Sequence, residues 1–301
     1  MRRTALFIVF QLAAAHSATL PASSLPALLS LRGGGPVAAV ATVKTPQEAY
    51  MGMAAKGAAN AKMSLPKVLH QSIMGGCYVG MGGLLSTVVA GNCPGIPAGM
   101  KKFIFAALFP VNLLLILMSG GQLFTGNSAA VPAAVFEGLI GYGDLVYSWV
   151  VSYIGNIIGC GLFAYAAKYT GILTGGAQEL AVATATAKCG MTFGQAVVKA
   201  IMCNWLVCMA VFLAGAANDL GGKMVGIWFP ISTFVAIGLE HSVANLFLLP
   251  LGLLGGAEVS TMDVIVKNLI PVTIGNAIAG AIVVAAGYSY AFGKLGDNDT
   301  N

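Results

Sequence analysis

Glu240, His241 and Asn245 interrupt GLEHSVANLFLLPLG, residues 238–252, a stretch that is otherwise almost wholly apolar. A second interruption, SGGQLFTGN at residues 119–127, sets three glycines, Thr125 and polar amides into another apolar run. An imidazole is a titratable donor that can hydrogen-bond a weak acid or protonate it. Where a helix is broken, the new half-helix N-terminus adds amide dipoles that favour negative charge. Together these groups suit a small anion that has lost its water. Stripping an ion of water costs several kcal/mol even after relaxation, so a positive or proton-donating group must offset it. His241 is expected to be neutral at rest and to become charged only with an anion beside it.

The elements that must position these residues belong to a bilayer. Of 301 residues 57% are hydrophobic and only 8% charged, with mean hydropathy +0.85, against about 25% charged residues in an average soluble domain. A transmembrane helix needs about 20 mostly apolar residues. Six such stretches follow an N-terminal region, near 68–90, 101–140, 144–169, 192–217, 224–254 and 267–292. The second and fifth are longer than a span requires, and each holds one of the polar interruptions. Irregular backbone at that depth is tolerated only where protein buries it or a water-filled cavity lines it, and an ionisable residue there is functional by default. YIGNIIGCG (153–161) and TIGNAIAGA (273–281) share I-G-N-x-I in the third and sixth spans. The chain therefore divides into two halves of three helices. Three is odd, so the second half enters from the opposite side as an inverted repeat, in which paired broken helices point to a midplane binding site. The close-packing surfaces that small residues provide account for the same glycines equally well.

Residues 1–18 carry a basic start, a short apolar run and small residues near Ala15 and Ala18, the pattern of a signal peptide. Residues 19–44 are serine- and alanine-rich without an acid, as in a transit peptide or a disordered leader. The pair is the leader expected of a protein sent to a plastid, and a plain secretory leader is the alternative. Residues 45–66 read as an interfacial amphipathic segment, 67–293 as the six-helix domain and 294–301 as a polar tail. The net charge of +5 sits partly in the leader and partly near span ends, and does not point to nucleic acid. Four lysines ahead of the first span favour a cytosolic or stromal N-terminus. The six cysteines lack metal-binding spacing and read as small packing residues, so neither metal nor cofactor is expected.

Four motifs in order and register, GGQLFTGN, NWLVCMAVFLAG (204–215), GLEHSVANLFLLPLG and NLIPVTIGNAIAG (268–280), make the chain resemble the formate/nitrite transporter family from about Thr45 to Phe292. The resemblance implies an all-α membrane protein of aquaporin-like architecture, six helices with the second and fifth broken. It also implies a homopentamer with a pore in each protomer, passing small monovalent anions such as formate and nitrite, with lactate or hydrosulfide in some members. Carried over residue by residue, His241 matches the central pore histidine and Thr125 the threonine of the loop that approaches it, with Asn204 and Asn245 nearby. Leu113, Leu123 and Phe124, with Val207 close by, match one apolar constriction; Phe109 and Phe234 match the other. Lys188 matches a vestibule lysine that attracts anions. From the residues alone, Glu240 is expected to support the break by bonding freed amides.

Three rivals belong to other classes. A water channel lacks its paired N-P-A tripeptides here; an ammonium channel lacks its histidine pair, since the histidines are His16, His70 and His241. An intramembrane protease lacks a G-x-S-x-G elbow around Ser119, Ser128 or Ser242. A purely structural protein has little use for two polar breaks. The expectation is therefore a proton-linked channel-like transporter, not an enzyme, with nitrite as first choice because a plastid reduces nitrite. Formate is close behind, and formate or lactate export at a plasma or secretory membrane is the alternative.

Overall fold

The computed structural model describes residues 43–297, so all but the last two residues of the leader expected at 1–44, and residues 298–301, lie outside it. The described chain is helical. Helix α1, Pro46–Ala61, opens with a capping box: Thr45 Oγ1 accepts from the Glu48 amide at 3.3 Å while the Glu48 carboxylate accepts from the Thr45 amide at 2.8 Å. Helix α1, expected as an interfacial amphipathic segment, buries Ala49, Tyr50, Met53 and Ala54 against protein.

Among the described residues six helices are long and apolar enough to cross a membrane. They are α2 (Leu65–Gly91), the pair α3 (Ala98–Leu108) and α4 (Val111–Ser119), α6 (Tyr142–Tyr169), α8 (Phe193–Ala216), α9 (Leu220–Ile237) and α11 (Thr261–Phe292). Shorter helices complete the broken ones, α5 (Phe124–Phe136) after α4 and α10 (Ser242–Gly255) after α9. Helices α2 and α6 cross closely, because a Cβ on Gly159 would overlap the Ile73 carbonyl, the small-residue contact that membrane helices favour.

Three features depart from the sequence reading. Pro110 divides the second span into α3 and α4, since proline cannot donate to the preceding turn; close by, the Ala107 carbonyl accepts from Trp228 Nε1 at 3.0 Å. The stretch before the fourth span, read as a connector, contains a 15-residue helix α7 (Gly175–Cys189) that buries Ala177, Ala181 and Ala185 at a spacing of four. The sixth span is wound in π-helical turns over Val264–Leu269 and Ala279–Ala286, and Pro271 follows the first of them closely, consistent with a π-bulge at a residue lacking an amide proton.

Glu137, at the C-terminal end of α5, is 4% exposed and joins three elements. Its Oε1 accepts from Tyr50 Oη of α1 and Ser289 Oγ of α11, each at 2.7 Å. Burial raises the Tyr50 phenol well above its ordinary pKa, so it remains a donor. Glu137→Ala leaves both hydroxyls without an acceptor, and hydrogen bonds to a charged group are worth about 1.5–3 kcal/mol each. The variant is expected to lose about 3 kcal/mol or more of stability, read as a lower thermal midpoint in detergent, with Glu137→Gln losing less.

Candidate functional site

The two breaks are built alike. Each first half-helix ends on a glycine with left-handed backbone, Gly120 at φ 81° and Gly238 at φ 77°, a conformation that suits glycine. The next amide then reaches back, Gly121 N to Ile116 O at 2.9 Å and Leu239 N to Phe234 O at 3.0 Å. The chain runs extended through Leu123 and His241 into the second half-helices. The first break is shorter than SGGQLFTGN suggested, because Phe124–Asn127 are already helical and Thr125 lies in the first turn of α5 rather than in a loop.

The asparagines of the repeated I-G-N motif hold both breaks together. Asn156 Oδ1 accepts from Phe124 N at 3.0 Å, and its Nδ2 donates to Ser72 O at 2.8 Å and Gln122 O at 2.9 Å. Asn276 Oδ1 accepts from Ser242 N at 2.8 Å, and its Nδ2 donates to Ala200 O at 2.8 Å and Glu240 O at 3.0 Å. Tyr153 and Thr273, the opening residues of the two motifs, meet at 2.8 Å. The sequence reading assigned the freed amides to the side chain of Glu240. The structure assigns them to Asn156 and Asn276, which come from helices packed across the breaks, and to His241, which caps the half-helix it precedes. The repeat itself was the signal for Asn156 and Asn276, yet an asparagine three residues into such a motif does not disclose which backbone it will meet.

His241 is the N-cap of α10. Its Nδ1 accepts from Ala244 N at 2.9 Å, and its Nε2 lies 3.0 Å from Thr125 Oγ1. An imidazole nitrogen that accepts from an N–H carries no proton, so in the neutral ring the proton is on Nε2, which donates to Thr125. The ring is 5% exposed and stacks on Phe234 with centroids 5.7 Å apart. Asn204, from α8, reaches both sides of this centre: its Nδ2 donates to Ser128 Oγ at 2.8 Å and to the Asn276 carbonyl at 2.7 Å, and lies 3.4 Å from the Thr125 carbonyl.

Cavities approach this centre from two sides. One, about 600 Å³, opens beside α7 and is lined by Phe109, Phe234, His241, Asn245, Lys188, Lys101 and Lys102 among others. The other, about 290 Å³, opens beside α1 and is lined by Leu113, Leu123, Gln122, Lys44, Lys56 and Lys223 among others. Phe109 and Phe234 meet edge to face at 6.3 Å, flanking the first cavity's approach to His241. Leu113 and Leu123, 2% and 5% exposed, face the second. Phe124 turns into Trp149 and Tyr153, and Val207 is buried in the same apolar cluster; neither lines a cavity.

The mouths differ in charge. Lys188, in the last turn of α7, pairs with Glu240 at 2.8 Å. The other Glu240 oxygen accepts from Asn245 Nδ2 at 2.7 Å and Asn268 Nδ2 at 3.2 Å. In the first break the corresponding residue is Gln122, which donates to Gln71 Oε1 at 2.9 Å and accepts from Asn127 Nδ2 at 3.0 Å. The geometry is shared and the charge is not. Removing one partner of a buried ion pair costs about 3–5 kcal/mol, because the other charge is stranded. Lys188→Ala is thus expected to lower the thermal midpoint sharply, and Lys188→Ala/Glu240→Gln to recover most of the loss. A single variant as stable as wild type would make the pair energetically idle.

This arrangement offers a neutral hydrogen-bond donor between two apolar approaches, with the N-termini of two half-helices beside it. Residues 47–290 match the family described as Formate/nitrite transporter. A probable formate transporter of Methanothermobacter thermautotrophicus is 42% identical over 272 residues, covering 83% of this chain and 98% of that protein. Among solved structures, an FNT family ion channel superposes with TM-score 0.75 at 28% identity, over 81% of this chain and 98% of its own. A pentameric formate channel with formate bound superposes with TM-score 0.68 at 29% identity, over 76% and 98%.

Proposed function

The chain belongs to the formate/nitrite transporter family, and from that premise we propose that this multi-pass membrane transporter carries formate through a pore in each protomer of a homopentamer. The observation that carries the reading is the Nε2 proton of His241, aimed at Thr125 between Phe109/Phe234 and Leu113/Leu123. A formate ion that passes either apolar pair loses water, and at the centre it meets this donor and the half-helix dipoles in exchange. The Thr125 hydroxyl, displaced from His241, turns its own proton to the second carboxylate oxygen. Asn204 holds the Thr125 turn in place from α8. Asn245 keeps Glu240 beside Lys188, whose residual field draws anions into the α7 mouth.

Proton linkage follows a restricted route in this reading. Neutral His241 cannot give up its Nε2 proton without becoming an imidazolate, and it can take a second proton only at Nδ1, by releasing the Ala244 amide. His241 therefore solvates the anion. The accompanying proton comes from water at the mouths, where the weak acid is neutralised before or after the apolar passage. Nitrite, a bent monovalent oxyanion, fits the same donor, and the Gln122–Asn127 turn contains nothing that separates it from formate. The preference for nitrite rests on a plastid-envelope location, which depends on the leader outside the described residues; formate is favoured by the named relatives.

Uptake of labelled formate, nitrite and lactate by liposomes carrying the purified protein tests the assignment. Formate is expected to enter fastest. Entry of none of the three above protein-free vesicles would refute the transport reading, and nitrite outrunning formate would restore the plastid argument.

A further inference from the structure

The α1 mouth carries charge that the transport reading does not use. Lys56 from α1 and Lys223 from the first turn of α9 line the same cavity of about 290 Å³, whose wall also includes Leu113 and Leu123. Among the described residues no aspartate or glutamate lines that cavity. Among the described residues the ion pairs are Lys188–Glu240 and Lys267–Asp263, so neither Lys56 nor Lys223 has a carboxylate partner within salt-bridge distance. Lys44, the third cation of the wall, is tied by its Nζ to the Gly215 carbonyl at 2.9 Å. Where the other mouth has Glu240 to neutralise Lys188, this one has uncharged Gln122. Crowding by the mouth wall, and after it the Lys223 ammonium, lowers the Lys56 pKa below the ordinary lysine value. The α7 mouth has no such pair, because Lys101 and Lys102 are neighbours on one helix and diverge.

Resting on the anion-pore reading, we propose that the α1 mouth binds a freely diffusing divalent oxyanion of the sulfate or hydrogenphosphate class between Lys56 and Lys223, where it plugs the mouth against monovalent substrate. Two ammoniums on one cavity wall, neither with a carboxylate within salt-bridge distance, match two negative charges; a monovalent ion would leave one ammonium uncompensated. The same ion cannot follow formate inward. Born desolvation grows with the square of charge, so a dianion meets about fourfold the penalty of a monoanion at Leu113 and Leu123. It binds where the cations are and stops where the apolar residues begin, which makes it a blocker that acts from one face.

The test is labelled-formate flux into phosphatidylcholine vesicles bearing the full chain, with sulfate replacing chloride on one face at a time at constant ionic strength, which holds screening fixed. The expected result is saturable inhibition by sulfate from the α1 face alone. In Lys56→Gln/Lys223→Gln oligomers of verified size, half-inhibition should require about tenfold more sulfate, the loss of roughly one charge-assisted hydrogen bond. Equal inhibition of wild type and the double variant, or of both faces, overturns the site. Formate flux that sulfate leaves untouched overturns it while the transport reading stands. If formate does not cross at all, the transport reading fails, and equilibrium dialysis of labelled sulfate against detergent-solubilised wild type and double variant decides the site separately. Inhibition that appears only when vesicles contain phosphatidate would assign the lysines to a lipid headgroup and overturn the free-ion site.

Discussion

His241→Asn is expected to assemble normally and to pass formate about 10- to 100-fold more slowly than wild type. An asparagine side chain places its oxygen near the position of Nδ1, so it can still accept from Ala244 N and cap α10, as asparagine does well. It does not extend to the position of Nε2, and the donor to Thr125 and to the anion is lost. A hydrogen bond to a charged group is worth about 1.5–3 kcal/mol, and each 1.36 kcal/mol on a barrier is tenfold in rate. His241→Gln makes the opposite exchange: its amide nitrogen reaches the Nε2 position while the cap disappears. That variant should keep much more flux and lose about 1 kcal/mol of stability. Flux measured on oligomers of verified size distinguishes the two. Asparagine passing formate as wild type does would make the imidazole a capping residue only.

Asn156→Ala and Asn276→Ala are each expected to prevent assembly or leave a protein that unfolds at much lower temperature. Asn156 satisfies Phe124 N, Ser72 O and Gln122 O, and Asn276 satisfies Ser242 N, Ala200 O and Glu240 O. Both asparagines are fully buried. Each alanine strands two backbone groups of a break, Phe124 N and Gln122 O or Ser242 N and Glu240 O, at about 1–3 kcal/mol per group, a large part of the whole stability of a typical domain; Ser72 O and Ala200 O, inside α2 and α8, keep their helical partners. Because the two sets of bonds match, the two losses should match, by thermal midpoint and by recovery of oligomer. One substitution tolerated and the other not would mean that the breaks, similar in shape, are held by different forces.

The parts of this site that could be read from the sequence are those that violate their surroundings. A histidine beside a glutamate, or a glycine pair followed by Gln122, is conspicuous within an apolar run, and each marked a break, although the first is shorter than its polar stretch. The shared I-G-N motif stood out for the same reason, and its two asparagines hold the two breaks. What escaped was set by distance along the chain. Asn156 meets Phe124 from 32 residues away, and Lys188 meets Glu240 across 52; no local pattern encodes either partner. Helix α7 escaped because its buried face is alanine, which barely differs in hydropathy from the threonines beside it, although Ala177, Ala181 and Ala185 kept helical spacing. The role assigned to Glu240 changed for a third reason. A carboxylate accepts wherever a cation and amides converge, and the convergence of Lys188, Asn245 and Asn268 exists only once α7, α10 and α11 have packed.

The central claim, that a neutral imidazole with its proton on Nε2 meets the anion, is open to nitrogen-15 NMR of histidine-labelled protein in lipid at neutral pH, using His241→Asn to assign the signal. The account predicts a protonated Nε2 and a bare Nδ1 for His241, with the Nε2 resonance shifting when formate is added and the Nδ1 resonance nearly still. A ring protonated on Nδ1, or on both nitrogens, in the absence of formate would contradict it.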